Sequence, residues 1–131
     1  MGFGVNWERL ITTLTAIPAP WIAKAAEELY SAAITTASTF YSTLVNWSNG
    51  KRLLIKVTST LDQEVLIQTI GNTTDSTTGA TDIQGPLPCP AGTSITIGLA
   101  WDDWHPYIGI EITSAVAPTT GTLTITATVQ E

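Results

Sequence analysis

Acidic, aromatic and imidazole side chains crowd together in one short segment of the sequence. That segment reads Trp101-Asp102-Asp103-Trp104-His105-Pro106-Tyr107. Aromatic rings offer flat apolar faces on which sugar rings stack, and carboxylates accept hydrogen bonds from sugar hydroxyls. The candidate glycan contacts are therefore Trp101, Asp102, Asp103, Trp104 and Tyr107.

The same segment fits two other descriptions. Asp102, Asp103 and His105 carry oxygen and nitrogen ligands for a metal ion, but neighbours in sequence need a distant further ligand to surround one ion. A turn between two strands, with tryptophans closing the end of a β-structure and the acids in solvent, explains the composition more simply. We favour the turn, and we expect neither a metal nor a cofactor.

Catalytic chemistry finds little support elsewhere in the chain. The sequence has one histidine and one cysteine, His105 and Cys89, and no serine stands in a Gly-x-Ser-x-Gly elbow. No pair of acidic residues is singled out for general acid and base work. We therefore predict a protein that is not an enzyme, in which Cys89 is a small packed apolar residue.

Length and charge bound the class of protein. The 131 residues correspond to one domain, and 44% hydrophobic against 12% charged residues indicates a folded chain. The net charge is −6, and no lysine or arginine follows Lys56. Nucleic-acid phosphates require clustered basic residues, and a spanning helix requires about 18 apolar residues in a row. We expect no nucleic-acid partner and no membrane partner.

Apolar and polar residues alternate after Gly50, which predicts β-strands. The last strand shows this best, because Leu123, Ile125 and Val129 alternate with threonines of high β-propensity. Turn residues separate the strands. The predicted strands cover 52–59, 64–70, 93–99, 107–113 and 122–129, and the predicted turns cover 71–75, 85–92 and 118–121. Short, regularly spaced strands indicate an antiparallel β-sandwich or jelly-roll-like domain over residues 48–131.

The first 47 residues follow a different period. Apolar residues from Trp21 to Trp47 recur at spacings of three, four and seven, which is typical of an amphipathic helix. We predict a helix over 20–34 and a shorter one over about 7–17, separated by two prolines. Residues 35–47 fit either a helix or the first arm of a hairpin, since their threonines are β-branched. The predicted fold is mainly β, with an N-terminal helical arm over residues 1–47.

This N-terminal arm carries more aromatic area than a solvated tail should expose. Such an apolar stripe must be buried, either on the sandwich of its own chain or on a neighbouring subunit. We expect a homo-oligomer, with a trimer favoured. The predicted assembly interface consists of Phe3, Trp7, Trp21, Ile22, Leu29, Tyr30, Phe40, Tyr41, Leu44 and Trp47.

Three stretches carry a resemblance to a known kind of protein. They are Lys56 to Gln68, Trp104 to Ile110, and Ala117 to Thr124. They resemble small β-sandwich structural proteins of tailed bacteriophages and their prophages. The resemblance implies a decoration or minor capsid or tail subunit in the virion, which binds other virion proteins and performs no chemistry. The alternative is a glycan-binding or receptor-binding module built on Trp101, Trp104 and Tyr107.

Overall fold

The computed structural model describes residues 23–131, which form two antiparallel β-sheets around one core. The strands are β1 (Glu27–Ala32), β2 (Thr39–Tyr41), β3 (Val45–Asn46), β4 (Arg52–Ser59), β5 (Val65–Asn72), β6 (Thr81–Cys89), β7 (Ser94–Leu99), β8 (Tyr107–Thr113) and β9 (Leu123–Gln130). Sheet A has the order β1-β9-β4-β7, and sheet B has the order β2-β8-β5-β6, with β3 also paired to β8. The predicted mainly β, antiparallel sandwich is confirmed.

Strict alternation forms the inner face of sheet A. In β4 the side chains of Leu53, Ile55 and Val57 are buried, while the residues between them face solvent. The neighbouring β9 behaves in the same way, with its threonines on the outer face. Each fully buried aliphatic side chain contributes about 1.5–3 kcal/mol relative to an exposed one, so this pattern fixes which face of each strand points inward.

Sheet B supplies the opposite half of the core. Ile67 on β5 lies directly across from Ile112 on β8, and both are fully buried. Sheet B buries Ile110 on the same inner face, and Ile55 and Ile125 are its fully buried counterparts in sheet A. The two sheets therefore share one continuous apolar core, as expected for a β-sandwich.

The helix predicted over 20–34 is wrong in its described part, because residues 27–32 form β1. β1 pairs with β9, and Leu29 is buried in the core. Ala26 and Ala33, which completed the helical spacing, are exposed. Their small side chains bury little area, so pairing with a strand of high β-propensity outweighs the local pattern. The helix predicted over about 7–17 lies outside the described residues.

Residues 35–47, which fitted a helix or a hairpin, form the short strands β2 and β3. Both pair with β8 of sheet B, Phe40 opposite Ile112 and Val45 opposite Ile108. Residues 23–131 contain no α-helix. The aromatic residues of this stretch therefore belong to strands and loops of the sandwich.

The turn predicted over 85–92 is wrong in its first half, because β6 continues to Cys89. β6 pairs only with β5 and forms an edge of sheet B. Pro86 and Pro88 have no backbone N–H to donate, and an edge strand tolerates this because it has a partner on one side only. The peptide bond between Gly85 and Pro86 is cis. The fully buried Cys89 ends the strand, and burial raises the pKa of its thiol above the usual range.

The two ends of the described chain lie side by side. Ala23 forms a bridge with Gln130, and the amide of Lys24 donates to the carbonyl oxygen of Val129 over 2.8 Å. The Lys24 ammonium lies 2.8 Å from the carboxylate of Glu131. β1 and β9 thus bring both ends to one corner of sheet A.

At the opposite end of β9, two loops are held together by one carboxylate and one glycine. The Asp62 carboxylate accepts hydrogen bonds from the amide and hydroxyl of Thr119 and from the amide of Thr120, which lowers the pKa of Asp62. Gly121 has a φ of +94°, and a Cβ at this position would overlap the carbonyl oxygen of Thr60. Only glycine satisfies both conditions at position 121.

Replacing this glycine should destabilise the fold strongly. We expect Gly121→Ala to lower the free energy of unfolding by about 2–4 kcal/mol, because it combines backbone strain with a clash against main chain. Gly92→Ala is the matched control, since Gly92 has a φ of +66° but open space around it. The control should lose only about 1 kcal/mol in urea denaturation. Equal losses for the two variants would contradict the steric account.

The hydrogen bonds that the Asp62 carboxylate accepts should make the free energy of unfolding depend on pH in the acidic range. A folded-state pKa below the unfolded value of about 3.9 means that the unfolded chain binds more protons. The stabilisation is therefore complete above the unfolded pKa and is lost as the pH falls through the folded one. Urea titrations between pH 6 and pH 2 should show a shallower pH dependence for Asp62→Asn than for the unaltered protein. An equal pH dependence of the free energy of unfolding in both proteins would show that the Asp62 hydrogen bonds do not stabilise the fold.

Candidate functional site

The segment from residue 100 to residue 106 connects the two sheets at one end of the sandwich. It follows β7 of sheet A and leads into β8 of sheet B. A single 3₁₀ turn covers Trp101–Asp103, and the amide of Asp103 donates to the carbonyl oxygen of Ala100 over 2.9 Å. The segment is a turn between two strands, as the favoured interpretation predicted, but Trp101 is exposed and does not close the end of the sandwich.

Asp103 points back into this connection. Its Oδ2 accepts hydrogen bonds from Gln84 Nε2 at 3.2 Å and from the amide of Ala100 at 3.4 Å. Gln84 lies on β6, so the carboxylate links the edge of sheet B to the end of β7. Asp103 is half-buried, whereas Asp102 is exposed. Of the two acids, only Asp102 lies in solvent as the turn interpretation assumed.

Trp104 is held by a buried neighbour. Its Nε1 donates to the carbonyl oxygen of Trp47 over 2.8 Å, and the amide of Trp47 donates to Pro106 over 2.8 Å. Trp47 itself is fully buried, and a Cβ on Gly50 would overlap its indole. Trp104 therefore closes the end of the sandwich over Trp47, while 42% of it remains exposed.

His105 and Tyr107 are half-buried on the sheet B side of the segment. His105 Nδ1 donates to the carbonyl oxygen of Asp103 at 3.0 Å, and the imidazole packs so closely on Gly71 that a Cβ there would lie 2.5 Å from Cγ. These contacts position the imidazole as part of the packing between β5 and the connection.

Trp101 has a different environment from the other aromatic residues of the segment. It is 82% exposed, the most exposed of the large apolar residues in the described part of the chain. Burial of its indole by a partner would remove a large apolar area from water. Of the predicted glycan contacts, Trp101 and Asp102 are presented to solvent, whereas Asp103, Trp104 and Tyr107 are partly engaged within the fold.

Six of the ten predicted assembly residues lie in the described part of the chain. Phe3, Trp7, Trp21 and Ile22 lie outside the described residues. Leu29 and Trp47 are buried in the core of their own chain, and Tyr30 and Phe40 are half-buried against it. Leu44 is half-buried near Gly109, and Tyr41 is exposed on the outer face of sheet B opposite Glu111.

The structure adds a feature that sequence reasoning missed, a groove of about 520 Å³ on the outer face of sheet A. It lies where β7 and β9 end and β4 begins. Its lining consists of Ala23, Arg52, Leu53, Leu54, Gly98, Leu99, Ala100, Thr128 and Gln130. Two signals could have indicated it: Leu54 is apolar at an outward position of β4, and Gly98 leaves an outward position of β7 without a side chain.

Residues 23–131 show neither a cluster of metal ligands nor a helix suited to a membrane. No three histidine, cysteine, aspartate or glutamate residues of this part are grouped as a metal ion would require. In the same residues, no helix has the length and apolar character needed to cross a bilayer.

Comparison with known proteins identifies the fold but no family. No family model and no curated protein matches the sequence. The PBSX exported protein XepA is similar in structure with a TM-score of 0.58 and 12% identity, over 80% of this chain and 36% of XepA. The SPBc2 prophage-derived protein YomS is similar with a TM-score of 0.52 and 12% identity, over 88% of this chain and 99% of YomS. The chain shares its fold with both.

The different overlaps show how this fold is used. The chain spans about a third of the length of XepA but nearly all of YomS. The same sandwich therefore occurs as most of one prophage protein and as part of a larger one. At 12% identity the likeness concerns the fold and not individual residues.

Trp104 and Trp101 should respond differently to substitution. Trp104→Phe removes the indole donor to Trp47 but keeps an aromatic ring, so we expect a loss of about 1 kcal/mol in the free energy of unfolding. Trp101→Ala removes an exposed side chain and should change the same quantity by less than about 0.5 kcal/mol. Urea denaturation measures both. A larger loss for Trp101→Ala than for Trp104→Phe would contradict these assignments.

Proposed function

We propose that the protein is a non-enzymatic structural subunit of a phage particle, a decoration or minor capsid or tail protein. The observation that carries the proposal is the fold shared with XepA and YomS, the second of which is matched over 99% of its length. The three sequence stretches that resemble phage structural proteins support it independently. In this role the protein acts by binding other copies of itself and other virion proteins.

Three of the four sheet edges favour assembly through side chains or a segment rather than through strand addition. β1 presents Glu27 and Glu28 at one edge of sheet A, and both are exposed. β6 presents two prolines at an edge of sheet B, and β2 at the other edge has only three residues. Charges, prolines and short strands are the means by which proteins prevent uncontrolled pairing of sheet edges. At these three edges strand addition is therefore disfavoured, whereas β7 at the remaining edge of sheet A has neither a charge nor a proline.

The N-terminal segment is the proposed contact. Phe3, Trp7, Trp21 and Ile22 precede the described sandwich, so they can be altered without removing a core residue known from the structure. The same is not true of residues 27–47, which include β1 to β3 and the buried Leu29 and Trp47. Substitution within the first 22 residues therefore tests assembly without changing any of the described core residues.

Assembly is tested by the mass of the protein in solution. We expect the full-length chain to form a discrete homo-oligomer, with a trimer favoured, in light scattering. The double variant Trp7→Ser, Trp21→Ser should lower the mass to that of a monomer, because it removes apolar area from the contact. Trp101→Ser is the control, since it removes an equally large side chain outside the N-terminal segment and should leave the oligomer intact.

Two results would contradict the proposal. A monomeric full-length protein, or a double variant that keeps the full oligomer mass, would refute assembly through the N-terminal segment. Absence of the protein from purified particles of the phage that encodes it, measured by mass spectrometry, would refute the role in the virion. The second result is independent of the first, because an oligomer can form without entering a particle.

A further inference from the structure

The groove on the outer face of sheet A owes its depth to one missing side chain. Gly98 on β7 lies directly across from Leu54 on β4, which in turn lies across from Thr128 on β9. A Cβ at position 98 would meet no atom within 4 Å, so this outward position opens onto empty space. A depression of about 520 Å³ falls within the size range of small-molecule sites, which is roughly 300–1,000 Å³.

The floor of the groove exposes apolar surface where the rest of the sheet is polar. The outward neighbours of Leu54 on β4 are the charged residues Arg52 and Lys56. Leu54 is apolar, and 50% of it is exposed on the same face. Trp101 directly follows Ala100, a lining residue, and its indole is the most solvent-accessible of the described large apolar side chains. Leu54 therefore provides apolar contact for a flat ligand within the groove, and an exposed indole follows the lining residue Ala100 in sequence.

The polar part of the lining supplies both donors and acceptors. Arg52 presents guanidinium donors, Gln130 has an amide that donates and accepts, and Thr128 has a hydroxyl that does both. The nine described residues that line the groove include no carboxylate, although the chain as a whole carries a net charge of −6. A ligand rich in hydroxyl groups can pair with Thr128 and Gln130 without bringing a charge.

We propose that this groove binds a short saccharide. Pyranose rings combine an apolar face of C–H groups with a rim of hydroxyls, and the groove combines Leu54 and Trp101 with Arg52, Thr128 and Gln130. A nucleic acid would be repelled by the acidic chain, and an acyl chain would meet polar side chains in an open groove. This proposal differs from a site made only of the residue 101–107 segment, because most of its contacts lie on β4, β7 and β9.

The test uses a substitution that fills the groove from a position where the fold has room. Gly98→Leu places a side chain into the depression, whereas Thr96→Leu adds a leucine two residues earlier on the same strand and face, outside the lining. The full-length protein and both variants are titrated with cellotetraose, xylotetraose, the tetramer of N-acetylglucosamine and trigalacturonic acid, using calorimetry and tryptophan fluorescence. Urea denaturation establishes that both variants are folded.

We expect at least one of these saccharides to bind the unaltered protein and Thr96→Leu with similar affinity. Gly98→Leu should weaken that binding at least about tenfold, and Trp101→Ala should weaken it by a similar factor. Two results would overturn the proposal. The first is that none of the four saccharides binds at a concentration of about 5 mM, which corresponds to a binding free energy weaker than about 3 kcal/mol. The second is that a saccharide binds and Gly98→Leu leaves its affinity unchanged. Neither result depends on whether the protein assembles into particles.

Discussion

The burial of Trp47 is the constraint on which this end of the sandwich depends. A fully buried indole leaves no room for a side chain at Gly50, so the turn between β3 and β4 must contain glycine at that position. The backbone of Trp47 donates to Pro106 and accepts from the indole of Trp104. The connection between the sheets is thereby tied to the residue that fills the core beneath it.

The sequence predicted well those features that depend on local alternation. β4, β7, β8 and β9 follow from it because each buries every second residue. β1 could not be read in this way, because Leu29 shares a helical spacing with Ala26 and Ala33, and only partner strand β9 shows which residue is buried. β6 was hidden by its prolines, which are tolerated only because no strand pairs with its outer edge. Both errors concern edges, where the local sequence carries the least information.

The candidate site illustrates the same limit at the level of single residues. The crowded segment around residues 101–107 was visible because its residues are adjacent in sequence. The groove was not, since Leu54, Gly98 and Thr128 come from three strands and become neighbours only through the register of sheet A. The residues of the segment have different environments, with Asp103 and Trp104 engaged in the fold and Trp101 exposed to solvent. Its aromatic composition therefore reflects two tasks, closing the sandwich and presenting one ring to solvent.

The pairing of β1 with β9 has a consequence for how such a sandwich can be combined with other proteins. Ala23 and Gln130 are bridged, so the chain enters and leaves residues 23–131 at one corner. A unit with adjacent ends can be spliced into a surface loop of a host protein without stretching either sheet, which is the geometry that tolerates domain insertion. The sandwich is therefore suited to insertion into another protein at this corner. Foreign sequence attached at that corner would leave the far end, around Asp62 and Gly121, untouched.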